Sequence, residues 1–250
     1  MMVAHTRCSG MLRRIAAFAT LAVLVLWVEP AALYAADWKW PAQMSIAGFR
    51  VTGIRGSTRP DGSGTATGTL QIPRVAGQKV SLTRSSRGEV TGQASIKARV
   101  SRTEIQGKFK LTKAGLKATG ATVKTSPKPI TNASISVSSR GEFKGTGRLG
   151  LGRITLTTRF TISGTSFNVS GSTSVQGQED TPLATYKFQG RLSLRGSSGR
   201  IDGRADGTVE RTGKLADKVT TYSVSNAAVN LSNVHCTVNA GGVRITFKLF

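Results

Sequence analysis

Apolar and polar residues alternate along most of the chain that follows its first 36 residues. In residues 94–100, Ala, Ile, Ala and Val alternate with Ser, Lys and Arg, and the same period recurs in residues 186–194 and 243–249. A period of two predicts β-strands with one apolar and one polar face, and no window of comparable length shows apolar residues at helical spacing. The pattern indicates an all-β protein of about 14 strands, spaced roughly 8–14 residues apart.

Short polar segments that contain glycine separate these alternating stretches. Glycine takes positive φ at little cost and aspartate caps a neighbouring backbone group, so such segments predict turns between antiparallel strands. Residues 124–129 and 176–182 predict two longer loops, but the alternation resumes after each, so we expect one domain. The predicted turns are Pro60-Asp61-Gly62, Arg87-Gly88, Arg140-Gly141, Asp202-Gly203, Asp206-Gly207 and Gly241-Gly242.

One segment of the chain occurs twice. The sequence SSRGEV at residues 85–90 returns 53 residues later as SSRGEF at residues 138–143, and a looser copy lies at residues 197–203. The two similar copies would be separated by about four strands. If they are not chance similarities between Ser-, Arg- and Gly-rich turns, they predict a supersecondary unit stacked on its neighbours. The expected fold is therefore an elongated antiparallel β-repeat sheet, curled or sandwich-like.

The N-terminus carries the pattern of a secretory signal peptide. Arg13 and Arg14 precede an uncharged apolar run over residues 15–27, and alanines follow that run at positions 31, 32, 35 and 36. The run is shorter than the roughly 20 apolar residues that span a bilayer. We therefore predict a signal peptide over residues 1–36. The mature chain, residues 37–250, is then an all-β domain exported to the periplasm or cell envelope.

The chain is strongly basic, with 35 Lys and Arg against 12 Asp and Glu and a formal net charge of +23. Many of the basic residues occupy the polar parity of predicted strands, while the acids lie mostly in predicted turns. Because a solvated sheet face ordinarily mixes both signs of charge, this bias predicts a surface that binds an anionic ligand. The candidate binding residues are Lys97, Arg99, Lys108, Lys110, Arg191, Arg244 and Lys248.

Residue types suited to catalysis or metal binding are scarce. After the signal peptide the chain has one histidine, His235, and one cysteine, Cys236. Neighbouring residues on a strand point to opposite faces, so this pair cannot act as base and nucleophile. One histidine and one cysteine are also too few ligands for a metal site. The sequence therefore predicts no enzyme, no metal site and no cofactor.

Two stretches combine short alternating strands with glycine-centred turns: GEVTGQASIKARV at residues 88–100 and GEFKGTGRLGLGR at residues 141–153. Over residues 62–206 this rhythm resembles the repetitive β-strand segments of AsmA/TamB-like envelope proteins. The resemblance implies a long sheet that curls into a groove and shields lipid tails between the two membranes of diderm bacteria. This chain is shorter and more basic than members of that family.

We expect an exported, non-enzymatic envelope protein that binds or carries an anionic lipid, lipopolysaccharide or acidic glycan, with peripheral contact to a membrane. One alternative is a structural or surface protein that assembles through sheet edges. Another is an outer-membrane β-barrel, which the terminal Phe250 favours and the scarcity of Tyr and Trp disfavours. Nucleic acid is not an expected partner, because aromatic residues are not interleaved with the basic ones. The pattern does not predict an oligomeric state.

Overall fold

The computed structural model describes residues 38–164 and 166–250, so the predicted signal peptide lies outside the described residues. No helix in the described part has the length and hydropathy of a membrane span. The described chain forms one sheet of sixteen strands. In chain order these are β1 (Gln43–Ile46), β2 (Phe49–Thr58), β3 (Gly64–Ile72), β4 (Val75–Arg84), β5 (Val90–Val100), β6 (Thr103–Thr112), β7 (Gly115–Lys124), β8 (Ile130–Val137), β9 (Phe143–Leu151), β10 (Ile154–Ser163), β11 (Ser166–Asp180), β12 (Ala184–Ser197), β13 (Arg200–Gly213), β14 (Val219–Asn230), β15 (His235–Ala240) and β16 (Val243–Lys248).

The strands follow one another in the sheet in the order in which they occur in the chain. Neighbouring strands are antiparallel, which confirms the predicted all-β antiparallel architecture. The expected number of about 14 strands is too low, because some hairpins turn on two residues that carry no glycine. Ser101 and Arg102 between β5 and β6 are an example, with left-handed φ values of 49° and 60°. Tight hairpins require such values.

The apolar parity of the strands forms the hydrophobic core, as the alternation predicts. In β5 the side chains of Ala94, Ile96, Ala98 and Val100 are buried, and the residues between them are exposed. Removal of one face of the sheet from water is the main favourable contribution to folding. The largest side chains that are almost fully buried are Phe49, Phe109, Phe143, Phe188 and Phe247.

The sheet curls into a half-barrel, and its apolar face lies on the inside. The loop after β7 meets the turn between β12 and β13: the Ser126 N–H donates to Gly199 O at 3.1 Å, and the Ile201 N–H donates to Ser126 O at 2.8 Å. Near the C-terminus, Gln176 of β11 and Phe250 exchange two backbone hydrogen bonds of 3.0 and 2.9 Å. Both contacts join strands that are distant in the sheet order, so the expectation of a curled sheet is confirmed.

The repeated sequence forms the same turn twice. The Ser85 N–H donates to Glu89 O, the Gly88 N–H donates to Ser85 O, and both distances are 2.9 Å. The copy at residues 138–142 makes the same two bonds at the same distance. In each copy the serine Oγ also accepts a bond of 3.1 Å from the N–H four residues later. The first turn follows β4 and the second follows β8, so the predicted separation of four strands is confirmed.

Two further turns differ in how closely they match this unit. Residues 59–63, between β2 and β3, make the same backbone bonds at 2.7 and 2.9 Å although their sequence is different. The looser copy at residues 197–203 instead makes a two-residue turn at Ser198 and Gly199. The turn is therefore defined by its backbone bonds and its positive-φ glycine more than by its sequence.

Two predicted turns and one predicted loop are wrong. Asp202-Gly203 and Asp206-Gly207 lie inside β13, and residues 176–180 lie inside β11. Gly207 pairs with Gly190 of β12, and a Cβ on Gly207 would lie 2.6 Å from the Gly190 Cα. Glycine at this position permits two strands to approach closely. Asp206 marks a β-bulge, where one residue of β13 faces two of β14.

Candidate anion-binding surface

Acidic residues are scarce in the middle of the sheet. From Val90 to Gln178 the chain has 14 Lys and Arg but only two acids, Glu104 and Glu142. Residues 179–250 have 10 basic and six acidic residues. Because consecutive strands are neighbours in the sheet, basic residues that are close in the sequence are also close in space. The outer face of β5–β10 is therefore the candidate surface for an anionic ligand.

Four of the predicted binding residues lie together on β5 and β6. Lys97, Arg99, Lys108 and Lys110 are all exposed on the outer face, as their parity predicts. Arg99 lies opposite Glu104 on the neighbouring strand. The three lysines lie opposite uncharged residues, a glutamine or a serine in each case. These three lysines therefore face no acidic partner across β5 and β6.

The strand register also aligns lysines across β6–β9. Lys110 of β6 is the direct partner of Lys117 of β7. The next residue in the same row is Ser136 of β8, which pairs with Lys144 of β9. With a spacing of about 4.8 Å between strands, the row spans about 14 Å between its outer Cα atoms. Like charges directly opposite each other destabilise a sheet, and an anion lying across the row would relieve this repulsion.

Strands β4 and β5 separate along part of their length, because their register ends after four residue pairs. Beyond that point a side chain crosses the gap: the Lys97 N–H donates to Gln78 Oε1 at 3.4 Å. The separation opens a groove of about 1110 Å³ on the outer face. Lys79, Lys108 and Lys110 line this groove with serine, threonine and glutamine residues, so its walls supply both positive charge and hydrogen-bonding groups.

Two smaller grooves extend this basic surface. One of about 620 Å³ lies beside Lys97 and Lys108, and one of about 450 Å³ lies beside Lys117, Lys144 and Arg159. Among the described residues, no acid lines any of the three grooves. We call the surface that they form the basic band. It consists of Lys79, Lys97, Lys108, Lys110, Lys117, Lys144 and Arg159.

Both acids of this region form salt bridges. Glu104 contacts Lys124 at 2.8 Å, and Glu142 contacts Lys144 of the basic band at 3.1 Å. The hydrogen bond from Lys124 lowers the pKa of Glu104, and the nearby charges of Lys97 and Arg99 lower it further. Within the part of the chain that the structure describes, Lys144 is the one band residue in a salt bridge. Most of the band's charge therefore has no carboxylate beside it.

Four of the predicted residues lie outside the band as defined. Arg99 lies on β5 but lines none of the three grooves, and the other three are exposed on the outer face of β12 and β16. Arg191 lies on β12 opposite Asp206 of β13, and its Nη2 donates to Ser172 Oγ at 2.6 Å. Arg244 and Lys248 lie on β16. The structure therefore groups Lys97, Arg99, Lys108 and Lys110, and separates Arg191, Arg244 and Lys248 from them.

Four residues of the band were not among the sequence candidates: Lys79, Lys117, Lys144 and Arg159. Each lies on the polar parity of its strand, as Lys117 does between the buried Leu116 and Ala118. The same alternation that selected Lys97 could therefore have found them. Their proximity to one another could not be found in this way, because it depends on the hairpin register.

His235 and Cys236 lie on β15 with opposite orientations, as predicted for neighbouring strand residues. Cys236 is completely buried and His235 is partly exposed. Burial raises the pKa of the Cys236 thiol to about 11, so the thiol is protonated at neutral pH and is a poor nucleophile. In residues 38–164 and 166–250, no three His, Cys, Asp or Glu side chains form a group that could hold a metal ion.

We expect Cys236 to resist alkylation in the folded protein. A pKa near 11 instead of the reference value of 9.0 reduces the thiolate fraction about 100-fold at pH 8, and burial restricts access further. Iodoacetamide labelling at pH 8, followed by peptide mass spectrometry, would measure the rate with and without denaturant. Equal rates in the folded and unfolded protein would show that the thiol is exposed and would contradict this expectation.

Comparison with known proteins provides no relative from which a function could be transferred. No protein-family model, no curated protein and no solved structure matches the chain. The functional argument for this protein therefore rests on the geometry and charge of its own sheet.

Proposed function

We propose that the protein is a non-enzymatic binding protein of the cell envelope that holds an extended anionic component against the basic band. The ligand is an acidic glycan or the phosphate-bearing layer of an anionic lipid or lipopolysaccharide. The observation that carries the proposal is the Lys110–Lys117 pair, two like charges placed directly opposite each other on neighbouring strands. The grooves around this pair contain no acidic residue among those described.

The shape of the basic band favours an extended ligand. The band crosses β4–β10, and seven strands at about 4.8 Å spacing give a width of about 30 Å. Its charges are spread over this width and are not gathered in one deep pocket. A polymer or a headgroup layer contacts several such charges at once, which gives an attraction that salt weakens.

The location of the apolar face supports contact with headgroups or glycans more than transport of lipid tails. The apolar side chains of the sheet are buried inside the curl, as Phe109 and Phe143 are. A lipid tail would have to displace these packed side chains to enter. The AsmA/TamB-like resemblance implies a groove that shields tails, whereas our proposal assigns binding to the polar outer face of a similar strand repeat.

The test is the double variant Lys110→Gln/Lys117→Gln. A basic residue near an anionic surface contributes about 1 kcal/mol, so removal of both lysines is expected to weaken binding on the order of 30-fold at low salt. Binding would be measured by isothermal titration calorimetry with polygalacturonate, and by co-sedimentation with vesicles that contain phosphatidylglycerol. The glycan and vesicle arms of the experiment distinguish the two sources of negative charge.

A matched control removes the same charge elsewhere. Lys214 and Lys218 are exposed in the turn between β13 and β14, and Lys214→Gln/Lys218→Gln is expected to change affinity less than about threefold because it leaves the band intact. An equal loss in both double variants would overturn the proposal, as would unchanged binding in the Lys110→Gln/Lys117→Gln protein. The band variant should also unfold no more easily than wild type, because it removes a like-charge repulsion.

A further inference from the structure

A second separation in the sheet lies far from the basic band in strand order. Strands β14 and β15 share two residue pairs, Val229 with Cys236 and Asn230 with His235, and then diverge. At the other end of the gap, Tyr222 of β14 packs close to Gly241 in the turn after β15. The gap is therefore bounded at both ends, and a groove of about 1270 Å³ lies along it on the outer face.

The walls of this groove differ in chemistry from those of the basic band. They carry guanidinium, imidazole, amide and hydroxyl groups instead of lysines, including Arg204, Arg244, His235, Asn239 and Thr237. Arginine is suited to planar recognition of a carboxylate or phosphate, while amides and hydroxyls bind the hydroxyl groups of a sugar. Among the described residues that line the groove, Asp202 is the one acid, and Arg200 contacts it at 3.1 Å.

The polar groups of this groove are aligned by the strand register, and one of its arginines is held by a hydrogen bond. The Arg204 Nη1 donates to the Asn226 carbonyl oxygen at 3.3 Å, which holds the guanidinium beside β14. Arg244 is the direct partner of Asn239 across β15 and β16. Next to this pair, the hydroxyls of Thr237 and Thr246 lie 2.9 Å apart. The polar groups thus form an ordered row on the groove wall.

One polar atom at the end of the groove is not satisfied by the fold. His235 Nδ1 is buried and has no hydrogen-bond partner among the described residues. A buried polar atom without a partner is costly, and a bound ligand could supply the missing hydrogen bond.

We infer that the β14/β15 groove is a second binding site, which takes a small acidic saccharide of one or two sugar units. Arg204 and Arg244 bind its carboxylate or phosphate group, and the amides, hydroxyls and His235 bind its sugar hydroxyls. The groove is concave and bounded at both ends, which favours a short ligand, whereas the basic band is spread over seven strands. The two sites share no lining residue in the described part of the chain, so they are separable by mutation.

The test compares Arg204→Gln/Arg244→Gln with Lys110→Gln/Lys117→Gln, two variants with the same net charge. The probes for calorimetric titration are digalacturonate, glucose 1-phosphate, inorganic phosphate and the neutral disaccharide galactobiose. Wild type is expected to bind at least one of the two acidic sugars about tenfold more tightly than galactobiose and than phosphate alone, because both kinds of group contribute. The arginine variant is expected to lose at least about tenfold, and the lysine variant less than about twofold.

Several outcomes would overturn this inference. Failure of both acidic sugars to bind the wild-type protein would do so. Equal affinity of the wild-type protein for an acidic sugar and for galactobiose or inorganic phosphate would also do so. Loss of binding in the lysine variant to the same extent as in the arginine variant would place the ligand on the basic band instead. Because the polymer experiment uses the lysine variant with long ligands, the groove inference and the proposed function can fail independently.

Discussion

Replacing Phe188 with alanine is expected to lower the free energy of unfolding by about 3–5 kcal/mol. Phe188 is fully buried on β12, and its ring centroid lies 5.8 Å from that of Phe247 on β16. The substitution removes a large apolar side chain and leaves a cavity that the surrounding sheet fills only in part. The contact joins strands that are far apart in the sheet order, so its loss also weakens the closure of the C-terminal half. Urea unfolding followed by circular dichroism would measure the change.

A double-mutant cycle separates the ring–ring contact from general loss of packing. Phe188→Ala and Phe247→Ala are expected to couple by about 1 kcal/mol, because aromatic pairs contribute beyond the area that they bury. Val243, on the same strand as Phe247, is 45% exposed, and Val243→Ala is expected to change stability by about 0.5 kcal/mol or less. Strictly additive effects of the two phenylalanine substitutions would show that the rings do not interact.

The sequence predicted which side chains enter the core but not how the sheet closes. The period of two in residues 243–249 places Phe247 on the buried parity, and the structure confirms it. The pairing of Phe247 with Phe188 could not be predicted, because it depends on the curl of the whole sheet. The bonds between Gln176 and Phe250 have the same origin. Local periodicity determines the faces of a strand, whereas contacts between distant strands depend on accumulated twist and bulges.

The same distinction holds for the candidate site: the exposed face of each strand could be predicted, but the alignment of neighbouring strands could not. Parity alone predicted that Lys97, Lys108 and Lys110 are exposed on one face. The direct opposition of Lys110 and Lys117 required the register set by a two-residue hairpin. The separation of β4 from β5 opens the largest groove of the band. It occurs in the hairpin that the repeated turn at residues 85–89 connects, beyond the four residue pairs next to that turn. No local pattern in the sequence distinguishes this separation from a continuous pairing.

Glycine was the residue for which sequence reasoning was least reliable. The glycines of residues 88 and 141 occupy turns with positive φ, as predicted. Those of residues 203 and 207 were also predicted to form turns but lie inside β13, where they permit close packing. Both roles select glycine in the sequence, since each requires the absence of a Cβ. The two roles can be separated only by what a Cβ would meet in the folded protein.

Two glycines of β9 provide a direct test of this distinction. A Cβ on Gly145 would overlap the Ser134 carbonyl oxygen and lie 2.7 Å from Phe160 Cζ, whereas a Cβ on Gly150 would meet no atom within 4 Å. Gly145→Ala is therefore expected to destabilise the protein by about 3 kcal/mol, since the backbone of β8 must move. Gly150→Ala is expected to stabilise it by up to about 0.5 kcal/mol, because it restricts the unfolded chain without strain.

The comparison is informative because both substitutions add the same methyl group to the same strand, and neither glycine has positive φ. Intrinsic strand propensity therefore cannot produce a difference between them, and only the local contacts can. Thermal and urea unfolding of the two variants would measure the difference. Similar effects of the two substitutions would mean that β8 and β9 are not packed as closely at Gly145 as the structure indicates. Opposite effects would establish that this glycine is required by the close approach of β8 and the Phe160 ring to β9.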